Sequence, residues 1–375
     1  MRTKKILVIP HFPTEEVRVR EKEIALHLSE YYDVHYLYWH EPKERNVIKR
    51  VVCLLSDILQ PFFYRKKDGL WYVQIPCIHT PGKIAKIFNR ISLSMLFRRI
   101  SFDVVINASF LFPVKRESYH RYFVDLVDLP LENWQNKWGK YIFEFYKEEI
   151  IKADKILVVS GGLGEIISRK FNCNPLFLPN GTDISLFRNM KEEEVVELRT
   201  KLGLDGKVIL GAVGNWGKWM NLEFLLKVFK EFKKSHKDGV LLLVGPGPEI
   251  SRYKDRIRDD SVIFTGPVPH EDIEKYFLLF DLAILPNKKV LWQDVAFHIK
   301  LIEYSASRKI VVSTPLQEIL KLGFPNVITV EHDVKNWVDA IEKGLDISWN
   351  PDWDPLVERF DWRNILEKLI EWIEE

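Results

Sequence analysis

The stretch Asp281–Ser313 reads DLAILPNKKVLWQDVAFHIKLIEYSASRKIVVS. Leu282 to Leu285 is a short apolar run of the kind that forms a buried strand, and Pro286-Asn287 stops it. A polar loop follows. The pattern then predicts a helix from about Phe297 to Ser307 and a second apolar strand, Ile310 to Ser313. Strand, loop, helix and strand make a βαβ unit of a parallel sheet. In open α/β sheets a ligand sits at the carboxyl ends of the strands, beside helix N-termini whose free N–H groups suit phosphate. Glu303 lies one to two turns into the helix, too deep to cap it. Its carboxylate can accept two hydrogen bonds from a vicinal diol such as a ribose.

The same alternation runs through the chain in both directions. Lys5–Pro10, Asp33–Trp39, Val51–Leu55, Trp71–Pro76, Asp103–Ala108, Tyr122–Asp128 and Lys155–Ser160 read as strands of a first half. Val208–Val213, Val240–Val244, Val262–Thr265 and Val327–Val330 join the opening pair in a second half. The Asn180-Gly181-Thr182-Asp183 cluster is turn chemistry and reads as the hinge between them. The expected domains are 1–183 and 184–357, with a terminal amphipathic helix over 358–375 packing back on the first.

Composition narrows the function. Three cysteines (Cys53, Cys77, Cys173) lack paired spacing, so neither a disulfide frame nor a zinc site is implied, and a cytoplasmic location is expected. No apolar run reaches the roughly 18 residues of a membrane span. Residues 1–121 hold 21 Lys and Arg against 12 Asp and Glu, although the whole chain carries only +2. That asymmetry points to an anionic partner of the first half. No nucleic-acid motif accompanies it, and an anionic membrane surface is the better candidate, with the protein peripheral at the inner membrane face. A dehydrogenase is disfavoured because no G-x-G-x-x-G follows the first strand.

The motifs, in their order, resemble those of the family 4 retaining glycosyltransferases of GT-B fold, the glycosyl transferases group 1. They are Pro286, Lys300, Glu303, Tyr304, Ala306 and Ile310-Val311-Val312, preceded by Phe264-Thr265-Gly266, Val244-Gly245-Pro246-Gly247-Pro248 and Pro179-Asn180-Gly181-Thr182-Asp183 with Phe187. The resemblance covers roughly 155–330 and reaches the N-terminal half only by layout. It implies two facing Rossmann-like domains with a cleft between them, and sugar transfer from a UDP- or GDP-linked donor to a saccharide or lipid-linked acceptor with retention of configuration. It implies no metal or other cofactor. A nucleotide-sugar 2-epimerase of the same fold and a non-catalytic sugar-nucleotide or glycan-binding protein remain as alternatives.

On that resemblance the donor residues are Glu303 on the ribose, Lys300 beside it, and the backbone N–H groups of Ala296, Phe297 and His298 on the diphosphate. Gly245 and Gly247 form the glycine turn, and backbone groups of Pro267 and Val268 hold the base. Asn215 stands where many members have Arg, leaving Lys218 as the cation of that loop. Val295 stands where an acidic residue is usual, with Asp294 adjacent, and Arg308 replaces the usual glycine. The first loop lacks the family's glycines, since none occurs before Gly69; Arg18 and Arg20 stand nearby and either face phosphate or are solvated. Asp128, and less so Asp125, ends a strand where a carboxylate would orient the acceptor hydroxyl or cap the next segment. Lys300 and Glu303 are three apart and could simply pair on the helix surface.

One further segment is distinctive. In Lys83–Ile100, KIAKIFNRISLSMLFRRI, helical spacing puts Ile84, Ile87, Phe88, Ile91 and Met95 on one face, with Lys83, Lys86, Arg90, Arg98 and Arg99 around it. Such a helix either packs its apolar face on the sheet or lies in a membrane interface.

Overall fold

The structure, a computed structural model, describes residues 3–11, 19–39, 62–78, 82–116, 119–127 and 137–375. The expected strand Val51–Leu55 and the candidate residues Arg18 and Asp128 lie outside these. The chain divides into two compact units, one of Met1–Pro179 with Trp362–Glu375 and the other of Asn180–Asp361. The limits expected from sequence, 183/184 and 357/358, move to these positions because Thr182 and Asp361 belong together. Thr182 donates its N–H to Phe360 O at 3.0 Å and the Ile184 N–H reaches Asp361 Oδ2 at 3.2 Å. Among the described residues no helix is long and apolar enough to cross a membrane.

In the first unit β1 (Lys5–Ile9) leads to α1 (Arg20–Leu28) and β2 (Asp33–Tyr38). A hairpin, β3 (Phe63–Lys67) and β4 (Leu70–Gln74), follows, then α2 (Lys83–Arg99) and β5 (Phe102–Asn107). The unit continues through β6 (Tyr119–Leu126), α3 (Lys137–Lys152), β7 (Lys155–Val158), α4 (Gly161–Phe171) and β8 (Leu176–Phe177). The sheet order is β3-β4-β2-β1-β5-β6-β7-β8, and of these pairings only β3 with β4 is antiparallel. The inner strands β1, β2 and β5 are buried along nearly their whole length, as a parallel sheet covered on both faces requires, whereas the edge strand β3 is largely exposed.

The second unit runs β9 (Val208–Val213), α5 (Leu222–Phe232), β10 (Gly239–Val244), α6 (Pro248–Lys254), β11 (Val262–Gly266) and α7 (Ile273–Leu279). It continues with β12 (Leu282–Leu285), α8 (Leu291–Asp294), α9 (Ile299–Ala306), β13 (Val311–Ser313), α10 (Gln317–Leu322), β14 (Val327–Thr329) and α11 (Val334–Leu345). Its six strands are all parallel in the order β11-β10-β9-β12-β13-β14. Leu210, Leu241, Ile284, Val312, Trp337 and Ile341 form its core.

The last helix, α12 (Trp362–Glu374), returns the chain to the first unit. Trp362, Ile365, Leu366, Leu369 and Ile373 enter that unit's core beside Ile24, Ala25 and Leu28 of α1. Lys4 and Tyr32 both bind the Glu374 carboxylate at 2.7 Å.

Candidate functional site

In a doubly wound sheet the ligand crevice opens where strand order reverses, because there the two flanking loops leave toward opposite faces. In the second unit that place lies between β9 and β12. The loop after β9 is held from below. Trp216 is fully buried, its N–H donates to Pro246 O at 2.7 Å and its Nε1 to Val244 O at 3.1 Å. Gly245 and Gly247 allow this approach. A Cβ on Gly245 would meet Gly214 O at 2.2 Å, and one on Gly247 would meet the Trp216 backbone at 2.4 Å. Gly245 N donates to Gly266 O at 3.1 Å, so the loops after β9, β10 and β11 are fastened in series. Asn215 and Lys218 are exposed on this rim, Pro267 is exposed, and Val268 is half-buried.

On the other side of the reversal is the loop from Pro286 to His298. Lys288 N–H donates to Trp219 O at 2.7 Å, and the Trp219 and Trp292 rings meet edge to face at 5.6 Å. Asn287 and Gln293 are buried and bonded side chain to side chain, with Asn287 Oδ1 left without a partner among the described residues. His298 is buried with Nε2 2.8 Å from Gln293 O, and burial pushes its imidazole pKa down. Its side chain therefore turns inward. The N–H groups of Ala296, Phe297 and His298 have no partner among the described residues, and α9 begins immediately after them without a side-chain cap. Three free N–H groups at a helix N-terminus form an anion-binding concavity.

Glu303 sits on α9 with its side chain 17% exposed, and its Oε2 is 2.7 Å from Lys300 Nζ. Lys300 Nζ also lies 5.4 Å from the centre of the Phe277 ring. The surface pairing allowed by sequence is thus present, yet the partly exposed carboxylate keeps acceptor capacity for a diol. Tyr304, the next residue, was noted in sequence only as part of a motif. It is fully buried, and its hydroxyl accepts the Val213 N–H at 2.9 Å. This fixes α9 against the end of β9, so Tyr304 positions the helix that carries Glu303. Asp294 does not fill the acidic place left by Val295. Its Oδ1 accepts the Gln317 N–H at 2.9 Å and so caps α10.

In the first unit the reversal lies between β1 and β5. The sequence expectation that Arg20 faces phosphate or solvent and that Asp125 faces an acceptor meets a different arrangement here. Arg20 and Asp125 side chains are 3% and 0% exposed and grip each other, Nε to Oδ2 at 2.9 Å and Nη2 to Oδ1 at 3.1 Å. Arg20 Nη1 also donates to Pro179 O at 2.7 Å. The physical reason is desolvation: a guanidinium taken out of water needs a bidentate carboxylate to replace the hydrogen bonds it has lost. Two residues that sequence did not nominate stand at the reversal. The His11 N–H donates to Glu21 Oε1 at 3.2 Å, and the His11 ring lies edge-on to Phe110 at 5.0 Å. Glu21 is buried, and desolvation, then the nearby Asp125 charge, push its pKa up to about 7. The available signal was positional, since His11 stands directly beyond the first strand of a doubly wound sheet.

Two Rossmann-like units in one chain, each with its reversal loops at the carboxyl ends of parallel strands, are the GT-B fold. Solved structures agree. Sucrose-phosphate synthase of Thermosynechococcus elongatus superposes with a TM-score of 0.73 at 13% identity, over 99% of this chain and 98% of that one. Anabaena HepE in complex with UDP-glucose does so with a TM-score of 0.68 at 13% identity, over 99% of each chain. Residues 207–346 match the family described as glycosyl transferases group 1. Residues 207–346 of the second unit are thus similar to the group 1 glycosyltransferases, in a chain of GT-B fold. Among curated relatives, a Bacillus subtilis glycosyltransferase named for teichuronic acid biosynthesis is 29% identical over 52% of this chain and 49% of its own length. The alpha-D-kanosaminyltransferase of Streptomyces kanamyceticus is 25% identical over 41% of each. The chain spans half or less of the curated relatives it matches.

Proposed function

We propose that the protein is a retaining glycosyltransferase that moves a sugar from a nucleoside diphosphate sugar, UDP- or GDP-linked, to a saccharide or lipid-linked acceptor in the cytoplasm. The observation that carries this reading is the row of unpartnered N–H groups at 296–298, placed at the strand-order reversal and followed one turn later by Glu303. In this reading those N–H groups take the diphosphate and Lys218 adds a positive charge from the facing loop. Glu303 accepts the ribose hydroxyls while Lys300 holds its carboxylate in place. The backbone at Pro267 and Val268 takes the base. Charge developing on the leaving diphosphate is met by fixed dipoles and lysine rather than by a metal ion. The acceptor is assigned to the first unit, at the β1–β5 reversal beside His11, and its hydroxyl attacks from the face the leaving group departs.

The relatives support the class of reaction: two are named as glycosyltransferases, and one neighbour was solved with UDP-glucose. A thermal-shift series with UDP, GDP, ADP, CMP and their sugar conjugates tests the donor site. Tight binding to the folded state raises the melting temperature, by about 2.7 kcal/mol of stabilisation at a hundredfold excess over Kd. The expected result is a rise with a uridine or guanosine diphosphate sugar that is lost in Glu303→Ala. No rise with any nucleotide, on folded protein, overturns the reading. Retention is checked by the anomeric NMR signal of the first product formed.

A further inference from the structure

Helix α2 packs the wrong way round for an ordinary amphipathic helix. Its large aliphatic residues Ile84, Ile87, Ile91 and Met95 are 79%, 60%, 56% and 42% exposed. Its buried positions are instead Ala85, Asn89, Ser92, Leu93 and Leu96. Asn89 explains the orientation. Its side chain accepts the Ile78 N–H at 2.7 Å and donates to Ile78 O and Leu111 O at 3.0 and 3.1 Å, so a buried amide anchors the inner face. The outer residues recur at intervals of three and four and form one continuous stripe. A contiguous exposed aliphatic stripe marks an interaction surface.

The charge around the stripe identifies the partner. The helix contains no Asp or Glu. Lys83, Arg98 and Arg99 are exposed beside it, whereas Lys86 is committed to Glu148 at 2.7 Å. Arg98 also lines a cavity of about 350 Å³ at the C-terminal end of the helix, together with Lys115, His120, Ser94 and Ser101. This cavity has cationic and hydroxyl groups and no carboxylate in its lining, which suits a phosphate. A second copy of the chain is a poor occupant, because a two-fold contact through this face would set its cations against one another.

We propose that the outer face of α2 docks on an anionic lipid bilayer, with the four aliphatic side chains in the acyl boundary and a lipid phosphate in the cavity at Arg98. The inference stands apart from the transferase reading, because neither Glu303 nor the 296–298 segment enters it.

The test is co-sedimentation of the full chain with phosphatidylcholine vesicles, with and without phosphatidylglycerol, at low and high salt. Retention is expected only with the anionic vesicles and falls as salt rises. The double variant Ile87→Glu, Ile91→Glu alters exposed positions and is expected to keep the wild-type melting temperature and nucleotide response while losing at least about tenfold in partition. Arg98→Glu is expected to lose the preference for the anionic lipid. Wild-type protein left in the supernatant overturns the proposal, as does equal retention of the double variant. Self-association abolished by the double variant, without vesicle binding, also overturns it and assigns the face to a second copy.

Discussion

Arg20 has two carboxylates near it and satisfies one. Asp125 takes the bidentate pair, and Glu21, also buried, accepts the His11 N–H and its own backbone N–H beside the Asp125 charge, which the Arg20 charge offsets only weakly. Desolvation and like charge both favour the neutral acid, which is why its pKa rises from 4.5 to about 7. The sign for stability follows. Between those two values the folded state holds a proton that the unfolded state releases. The stabilising contribution is therefore complete below pH 4.5 and is lost as pH rises through 7. Glu21→Gln keeps an acceptor for His11 and removes the titration. Wild type is expected to lose about 3 kcal/mol relative to this variant between pH 4.5 and 8, read from urea unfolding midpoints. The imidazoles of His35 and His298, both pushed down by burial, titrate in an overlapping range with the opposite sign. They are common to both proteins and cancel in the difference. A difference that is flat with pH would show that Glu21 is charged throughout.

Among the elements, the turn Gly245-Pro246-Gly247 carries the tightest constraint. Gly247 has a φ of +151° and its missing Cβ would stand 2.4 Å from Trp216 N, which is backbone and cannot rotate away. Gly266 shares a positive φ, +70°, but a Cβ there meets nothing within 4 Å. Gly266→Ala is therefore expected to cost only the conformational strain, about 1 kcal/mol, and Gly247→Ala about 2–3 kcal/mol or more, with loss of nucleotide binding. Calorimetry of the two variants checks the order, and equal costs would show that the loop after β9 yields. This turn was legible in the sequence because glycine and proline name a backbone need directly. So were β9 to β14, whose short, mostly apolar runs bounded by turn residues read as strands. The hairpin was not read, although Asp68-Gly69 between β3 and β4 takes φ values of +50° and +82° and is the expected signal for one. The Arg20–Asp125 pair and the outward face of α2 were not legible for a different reason. Each depends on what lies opposite in space, and a periodic pattern gives the existence of a face but not its direction. The role of Asn89, a buried amide that joins Ala85, Leu93 and Leu96 on the inner face, has no sequence signature at all.

At the scale of the whole molecule, the two cores share no residue: one gathers Ile6, Val104, Phe123 and the α12 side chains, the other Leu210, Leu241, Ile284 and Trp337. The chain nevertheless interleaves them, since its last segment completes the unit its first segment began. Leu369 tests what that return is for. It is fully buried against the first core, close to both ends of the sequence's first unit and far along the chain from them. Truncating it to Ala removes a buried aliphatic group and leaves a cavity, a loss of about 2–5 kcal/mol. The donor nucleotide is proposed to bind the other unit. Scanning calorimetry is therefore expected to resolve two responses: Leu369→Ala lowers one transition, and the nucleotide raises the other. If both perturbations move one common transition, the two cores unfold as a single cooperative body.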